Sequence, residues 1–134
     1  MTQDPYEAGM RVRRDVLGDP HVDRATANAT RFTEPFQEYI TRNVWGAVWT
    51  RDGLDRQTRS AITLAVLCAL GHLDELEMHV RAALRNGLTA DQISEVLLHT
   101  AVYAGVPAAN SAFATAQQVL READAGQSQA DRES

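Results

Sequence analysis

The sequence contains no lysine, and all 13 of its basic side chains are arginine. Without a side-chain amine, the protein cannot form a Schiff base with a carbonyl substrate or with pyridoxal phosphate. It also cannot build a phosphate-binding loop that depends on lysine. Arginine keeps its charge and binds planar carboxylates through a bidentate fork. The composition therefore favours a small carboxylate as ligand.

Cysteine and long hydrophobic runs are also scarce. The one cysteine, Cys68, lies within the apolar run AITLAVLCAL, so we expect a small buried side chain and no intramolecular disulfide. The longest hydrophobic run, residues 61–70, is too short to span a bilayer, and the N-terminal residues lack the apolar core of a signal peptide. These absences predict a cytoplasmic protein without a membrane partner.

The length and the charge limit the domain organisation and the partners. A chain of 134 residues is one ordinary domain, and a net charge of -5 argues against nucleic acid as a partner. We expect one helical domain over residues 1–125. The remaining residues, 126–134 (GQSQADRES), predict a polar, poorly ordered tail.

Helix start and stop signals follow one another along the whole chain, and no credible strand pattern interrupts them. They predict an all-α fold of six or seven helices. From residue 61 onward the helix predicted for residues 56–70 is apolar on every face, so it should be the central element or be covered by another subunit. The signals are Asp4 with Pro5, Gly18, Thr33 with Pro35, Asp55, Gly71, Gly87, Thr89 with Gln92, Gly105 and Pro107.

The helix predicted from residue 73 onward carries a candidate acid–base pair. Its apolar stripe has His79 on its margin, and Glu75 lies four residues earlier, one helical turn away. A carboxylate beside an imidazole raises the pKa of the imidazole and fixes its tautomer, as proton transfer requires. The alternative is a surface pair without chemistry. The stripe consists of Leu73, Leu76, Val80, Ala83 and Leu84.

A metal site is a weaker alternative for the same helix. His72, Glu75 and His79 have the spacing i, i+3, i+7, but His72 lies at the helix start and the sequence contains no HExxH motif. We therefore expect no metal.

Other candidate residues lie outside this helix, and each has a structural alternative. His21, in GDPHVDRAT, is predicted in a loop, where binding residues concentrate, and His99 is predicted as a core histidine. Trp45 and Trp49 either pack as core or interface aromatics or form the wall of a pocket. Two arginines close to them, Arg51 and Arg59, could bind a carboxylate, whereas most of the other arginines are expected to form surface salt bridges.

Five segments in order resemble the carboxymuconolactone decarboxylase family, and the similarity runs from about residue 6 to residue 120. Because several separate motifs match in order, the resemblance is more specific than any one of them. The segments are HVDRA at 21–25, WGAVWTRDGLD at 45–55, TRSAITLA at 58–65, ELEMHVRAALRNG at 75–87 and HTAVYAGVPAANSAF at 99–113.

The resemblance implies an all-α subunit of the AhpD-like superfamily that assembles into a homo-oligomer, with a hexamer expected. It implies conversion of 4-carboxymuconolactone into β-ketoadipate enol-lactone and carbon dioxide, in the protocatechuate branch of the β-ketoadipate pathway, without a cofactor. The thiol peroxidases of the superfamily carry a CxxC pair where this chain has His72 and Glu75, and they carry a glutamate where it has Ser60. Thiol peroxidase chemistry is therefore disfavoured.

Within this resemblance, His79 is expected to donate a proton or stabilise an oxyanion, with Glu75 orienting it. Arg51 and Arg59 are expected to bind the side-chain carboxylate of the substrate. Further substrate-binding candidates are His21, Trp45, Trp49 and Tyr103. The alternatives are an enzyme for another lactone or small acid, and a non-catalytic helical oligomerisation module.

Overall fold

The computed structural model describes residues 4–133, and this part of the chain forms seven α-helices and one π-helical segment without a strand. The prediction of an all-α fold is confirmed. The chain divides into two compact units, one up to Arg59 and one from Ser60 onward. The assignment to a single domain stays a prediction.

The first unit begins with two consecutive helices, α1 (Pro5–Leu17) and α2 (Asp19–Asn28). Asp4 caps α1, because its carboxylate accepts a hydrogen bond from the Tyr6 backbone N–H at 3.2 Å. Gly18, with a φ of 91°, ends α1 and directly precedes α2. The prediction of a loop around His21 is wrong, since His21 lies on α2. Asp19 with Pro20 resembles Asp4 with Pro5 in sequence, but Asp19 is the first residue of α2 and Gly18 occupies the cap position.

The next helix of the first unit changes its winding. After α3 (Glu34–Tyr39) the chain continues as a π-helical segment, Ile40–Trp45, and α1 packs against this segment. The contact is close, because a Cβ added at Gly9 would collide with the carbonyl oxygen of Thr41 and lie 2.8 Å from the backbone nitrogen of Gly46. Glycine at position 9 therefore lets two helical backbones touch.

Three helices follow the helix α4 (Arg56–Leu70), and their ends agree with the predicted signals except at the end of the last helix. They are α5 (Leu73–Arg85), α6 (Ala90–Ala104) and α7 (Val106–Glu133). Thr89 and Gln92 form the predicted capping box of α6. The last helix, α7, continues to Glu133 through exposed residues, where we expected a poorly ordered tail, and Ser134 lies outside the described residues.

The core of the second unit is formed by one face from each of these helices. From α4 only Ser60, Leu64 and Cys68 are buried, whereas Ile62, Val66 and Leu70 are exposed. Within one chain α4 is therefore covered on one side only, and cover by another subunit stays a prediction. The core consists of Leu64, Cys68, Leu76, Val80, Ala83, Leu88, Ile93, Leu97, Ala112, Ala116 and Val119. None of the helices between residues 4 and 133 is both long and apolar enough to cross a membrane.

Candidate functional site

His79 lies where the apolar stripe of α5 meets the polar side of the helix. Leu76, Val80 and Ala83 are buried, while His79 itself is half-buried and Glu75, one turn earlier, is exposed. The predicted marginal position of the imidazole is confirmed. A half-buried imidazole can be reached by a ligand and is held by packing at the same time. That Glu75 orients His79 stays a prediction.

Three arginines of the first unit line an open cavity of about 300 Å³, which we call the arginine cavity. Arg11 on α1 and Arg51 and Arg56 near the start of α4 supply its positive charges, and Trp49 supplies an apolar wall. Asp52 and Asp55 lie at the same cavity. Among residues 4–133 no carboxylate forms an ion pair with Arg51, so its guanidinium fork remains available for a ligand.

The segment before α4 is held by local hydrogen bonds. The Asp55 carboxylate accepts a hydrogen bond from the Thr58 backbone N–H at 2.7 Å, and this bond lowers the pKa of Asp55. Nη2 of Arg59 donates to the backbone carbonyl of Arg51 at 3.3 Å. Arg59 therefore stabilises the segment that carries Arg51, and its role in binding a substrate carboxylate stays a prediction.

The two tryptophan rings contact each other in a tilted arrangement. Their ring centroids are 5.1 Å apart with an interplanar angle of 38°, and both side chains are buried. Trp49 combines the two predicted roles, since it packs in the core and also lines the arginine cavity. Trp45 is a core aromatic of the first unit.

The remaining predicted residues have different environments. His21 is half-buried on α2. Tyr103 is 81% exposed on α6 and stacks against His99, with 5.4 Å between the ring centroids. The prediction of His99 as a core histidine is wrong, because the position is on the exposed side of α6. The described residues therefore give Tyr103 a surface position, and its part in substrate binding stays a prediction.

Arg13 is a functional candidate that the sequence analysis missed. It is only 7% exposed and lines a second cavity, of about 410 Å³, which we call the Arg13 cavity. Burial is the main cause that lowers the pKa of Arg13 from its ordinary value, with Tyr6 opposing this effect and Arg14 adding to it. A signal was present in the sequence, since Arg13 follows Gly9 by four residues and precedes Val16 by three, which places it on the buried face of α1.

The thiol and metal alternatives depend on Cys68, on Ser60 and on whether possible metal ligands lie close together. Cys68 is fully buried, and desolvation raises the pKa of its thiol, which confirms the prediction of a buried side chain. Ser60 is buried and accepts a hydrogen bond from Asn86 at 2.9 Å. Across residues 4–133 no three His, Cys, Asp or Glu side chains converge as metal ligands.

The fold and these cavities describe an all-α protein with a half-buried helical histidine and two cavities lined by arginine. Comparison with protein families gives a match over residues 34–118 to the carboxymuconolactone decarboxylase family. The chain belongs to this family, and the resemblance seen in its sequence is confirmed.

Individual relatives agree with the family match. The chain is 49% identical to a 4-carboxymuconolactone decarboxylase of Acinetobacter baylyi over 117 residues, which are 87% of each protein. It is 44% identical to a nitrosuccinic acid decarboxylase of Metarhizium robertsii over 117 residues, 87% of this chain and 82% of the relative. A 4-carboxymuconolactone decarboxylase of Pseudomonas putida is 56% identical over 41 residues, 31% of this chain and 85% of that sequence.

Proposed function

We propose that this protein is a carboxy-lyase that converts 4-carboxymuconolactone into β-ketoadipate enol-lactone and carbon dioxide without a cofactor. The observation that carries the proposal is the similarity to the Acinetobacter baylyi enzyme, which extends over 87% of both chains. The reaction belongs to the protocatechuate branch of the β-ketoadipate pathway. Its setting is the cytoplasm, and the working form is a homo-oligomer, with a hexamer expected.

The substrate itself explains why no cofactor is needed. Its departing carboxylate is attached to a ring carbon next to a C=C bond that is conjugated with the lactone carbonyl. When the C–C bond to the carboxylate breaks, the electron pair moves through the ring to the carbonyl oxygen and leaves a furan-like enolate. The substrate thus supplies the electron sink that a Schiff base would otherwise supply, in agreement with the absence of lysine.

The protein must then bind a dianion, stabilise the oxyanion and deliver a proton to the ring carbon next to the carbonyl. We assign either the stabilisation of the oxyanion or the delivery of the proton to His79. An aimed hydrogen-bond donor contributes about 3 kcal/mol, and a positioned acid about 10²- to 10⁴-fold in rate. Glu75 is assigned to orient the imidazole, and Arg51 to pair with the side-chain carboxylate of the substrate.

Replacing His79 tests the catalytic assignment. We expect His79→Ala to lower kcat by about 10²-fold or more, because both proton donation and hydrogen bonding are lost. His79→Gln keeps an N–H donor, so partial recovery indicates oxyanion stabilisation and no recovery indicates proton transfer. Near-full activity in both variants would remove His79 from the site. His72→Gln is the comparison, since an equal loss there would favour the metal alternative.

Replacing Arg51 tests substrate binding. Arg51→Gln removes the charge and the fork, so we expect KM to rise while kcat changes little. Arg24→Gln, on the exposed side of α2, removes the same charge outside the arginine cavity and should leave KM unchanged. An unchanged KM in Arg51→Gln would exclude this residue from the site.

A second candidate reaction is the decarboxylation of nitrosuccinic acid, favoured by the 44% identity to the Metarhizium robertsii enzyme. Nitrosuccinic acid also carries its own electron sink, since the nitro group lies on the carbon that bears a carboxylate. Purified protein supplied with each compound distinguishes the two reactions. We expect carbon dioxide release from the lactone to have a higher kcat/KM than release from nitrosuccinic acid. A higher kcat/KM for nitrosuccinic acid would make its decarboxylation the first candidate reaction and that of the lactone the second.

A further inference from the structure

The guanidinium of Arg13 is buried without a counter-ion. Its Nη2 donates to Oε1 of Gln37 at 3.1 Å and its Nη1 to Oγ1 of Thr41 at 3.4 Å, and both acceptors are neutral. Its Nε is inaccessible to solvent and has no hydrogen-bond acceptor. Among residues 4–133 no carboxylate forms an ion pair with it. Such a charge is unfavourable in a protein interior unless something else pairs with it.

The Arg13 cavity offers room for that counter-ion. Its volume of about 410 Å³ is within the range that holds small organic ligands. Met10 and Ala29 contribute apolar surface, while Tyr6 and Thr26 contribute hydroxyl groups. A ligand in this space would meet the Arg13 guanidinium, a partly apolar wall and the other charged side chains that line the cavity.

The charges around the cavity select the kind of anion. Arg42 also lines the cavity, but its guanidinium is already paired with Glu38 at 3.0 Å and with Asp4 at 3.2 Å. Glu34, a second acidic residue, lines the cavity as well. The unpaired positive charge is therefore a single one, and the acidic residues repel dianions such as sulfate. A planar group with one negative charge fits best, since a guanidinium fork matches a carboxylate.

We propose that the Arg13 cavity is a binding site for a monocarboxylate with an apolar body, whose carboxylate pairs with Arg13. The apolar body contacts Met10 and Ala29. The site uses none of the residues assigned to decarboxylation, so the inference does not rest on the proposed function.

Benzoate is the probe, and benzamide is its neutral counterpart of the same shape. Calorimetric titration of the full chain should give saturable binding of benzoate, at least about tenfold tighter than binding of benzamide, and no saturable binding of sulfate. In a ¹H–¹⁵N spectrum the Nε–H signal of Arg13 should shift with the same saturation curve. Equal binding of benzamide, or an unmoved Arg13 signal, would overturn the proposal, because the anion would then not be at this guanidinium.

Three variants test whether the binding is at Arg13. Arg13→Gln should abolish benzoate binding, while Arg24→Gln, which removes a charge from the exposed side of α2, should retain it. If Arg13→Gln does not fold, Gln37→Glu tests the same assignment with Arg13 in place. It puts a carboxylate of the protein where Nη2 of Arg13 now donates to the Gln37 amide at 3.1 Å. We expect Gln37→Glu to raise Tm and weaken benzoate binding at least about tenfold. Unchanged binding in Gln37→Glu, or equal loss in Arg24→Gln, would contradict the assignment.

Discussion

At the scale of single residues, the arginines divide by the partners they have. Three of them are each held by two carboxylates of the protein itself, and these bonds raise their pKa values. These three form the surface salt bridges expected for most of the arginines, and exposed pairs of this kind contribute little to stability. Arg13 and Arg51 differ, since no carboxylate of residues 4–133 pairs with either. The three are Arg14 with Asp19 and Asp23, Arg42 with Asp4 and Glu38, and Arg81 with Glu77 and Glu122.

The Arg81–Glu122 pair gives a pH-dependent prediction. Arg81 donates to Glu122 at 2.7 Å, and this bond, with one from Gln118, lowers the pKa of Glu122 below its ordinary 4.5. A carboxylate with a depressed folded-state pKa stabilises the fold above its unfolded-state pKa and loses this contribution as the pH falls through its folded-state pKa. Glu122→Gln should therefore be less stable than the parent at pH 7, with a difference that shrinks below pH 4.5.

Urea unfolding at about pH 7 and about pH 3 measures this difference. Asp124→Asn, two residues further along α7 and also exposed, is the control and should differ little from the parent at either pH. A Glu122→Gln difference of the same size at both pH values would show that the ion pair is not its cause.

At the scale of the helices, the ends were predictable because they depend on neighbouring residues alone. Asp4, Gly71 and the Thr89 capping box act within one turn of the chain, so the sequence contains the whole signal. The same logic applied to Asp19 with Pro20 would have predicted α2. The π-helical winding of Ile40–Trp45 was beyond such reasoning, because no side-chain cap marks this segment and its contact is with α1, which is distant in sequence.

That contact gives a prediction about glycine. Gly9→Ala puts a methyl group against backbone atoms of Thr41 and Gly46, which cannot rotate away as a side chain can. We expect a loss of about 1–3 kcal/mol in the free energy of unfolding. Gly126→Ala is the matched control on α7, where nothing lies within 4 Å of the added methyl group, and it should gain up to about 1 kcal/mol. Denaturant unfolding of both variants measures these changes in the free energy of unfolding. A Gly9→Ala variant as stable as the parent would contradict the close contact.

At the scale of the whole molecule, the second unit exposes apolar side chains on α4 and α6. Monomeric proteins seldom expose large apolar patches, and such patches mark interaction surfaces. This exposure supports the proposed homo-oligomer. It also explains why helix α4 appeared central from its sequence, since hydrophobicity alone does not tell whether the same chain or a second copy covers it. The side chains are Ile62, Val66, Leu70, Leu98, Val102 and Tyr103.

Placing a charge on this surface tests the assembly. Val102 is 74% exposed on α6, so Val102→Asp should leave the fold of the chain intact while opposing burial against another copy. We expect sedimentation velocity to give an oligomer for the parent and smaller species for Val102→Asp at equal concentration. Ser111→Asp on the exposed side of α7 should sediment like the parent. A monomeric parent would contradict the proposed assembly.

The candidate site was only partly predictable, for reasons that belong to this scale. His79 was found because helical periodicity places it beside a stripe on its own helix. The arginine cavity and the Arg13 cavity instead collect residues from separate helices of the first unit, and no spacing in the sequence brings Arg11 to Arg51 or Arg13 to Gln37. Such groupings are products of packing, so they become visible only once the chain is folded.

Because Cys68 is buried, its thiol can serve as a probe for local opening of the second unit. Because this sulfur lies wholly inside the second unit, an alkylating reagent can reach it only when the helices around it part. Because the chain has no other thiol, the rate of modification measures how often the helices open around Cys68. A ligand that holds the helices together should slow the modification in proportion to its occupancy. The modification rate of Cys68 can therefore be used to measure ligand binding.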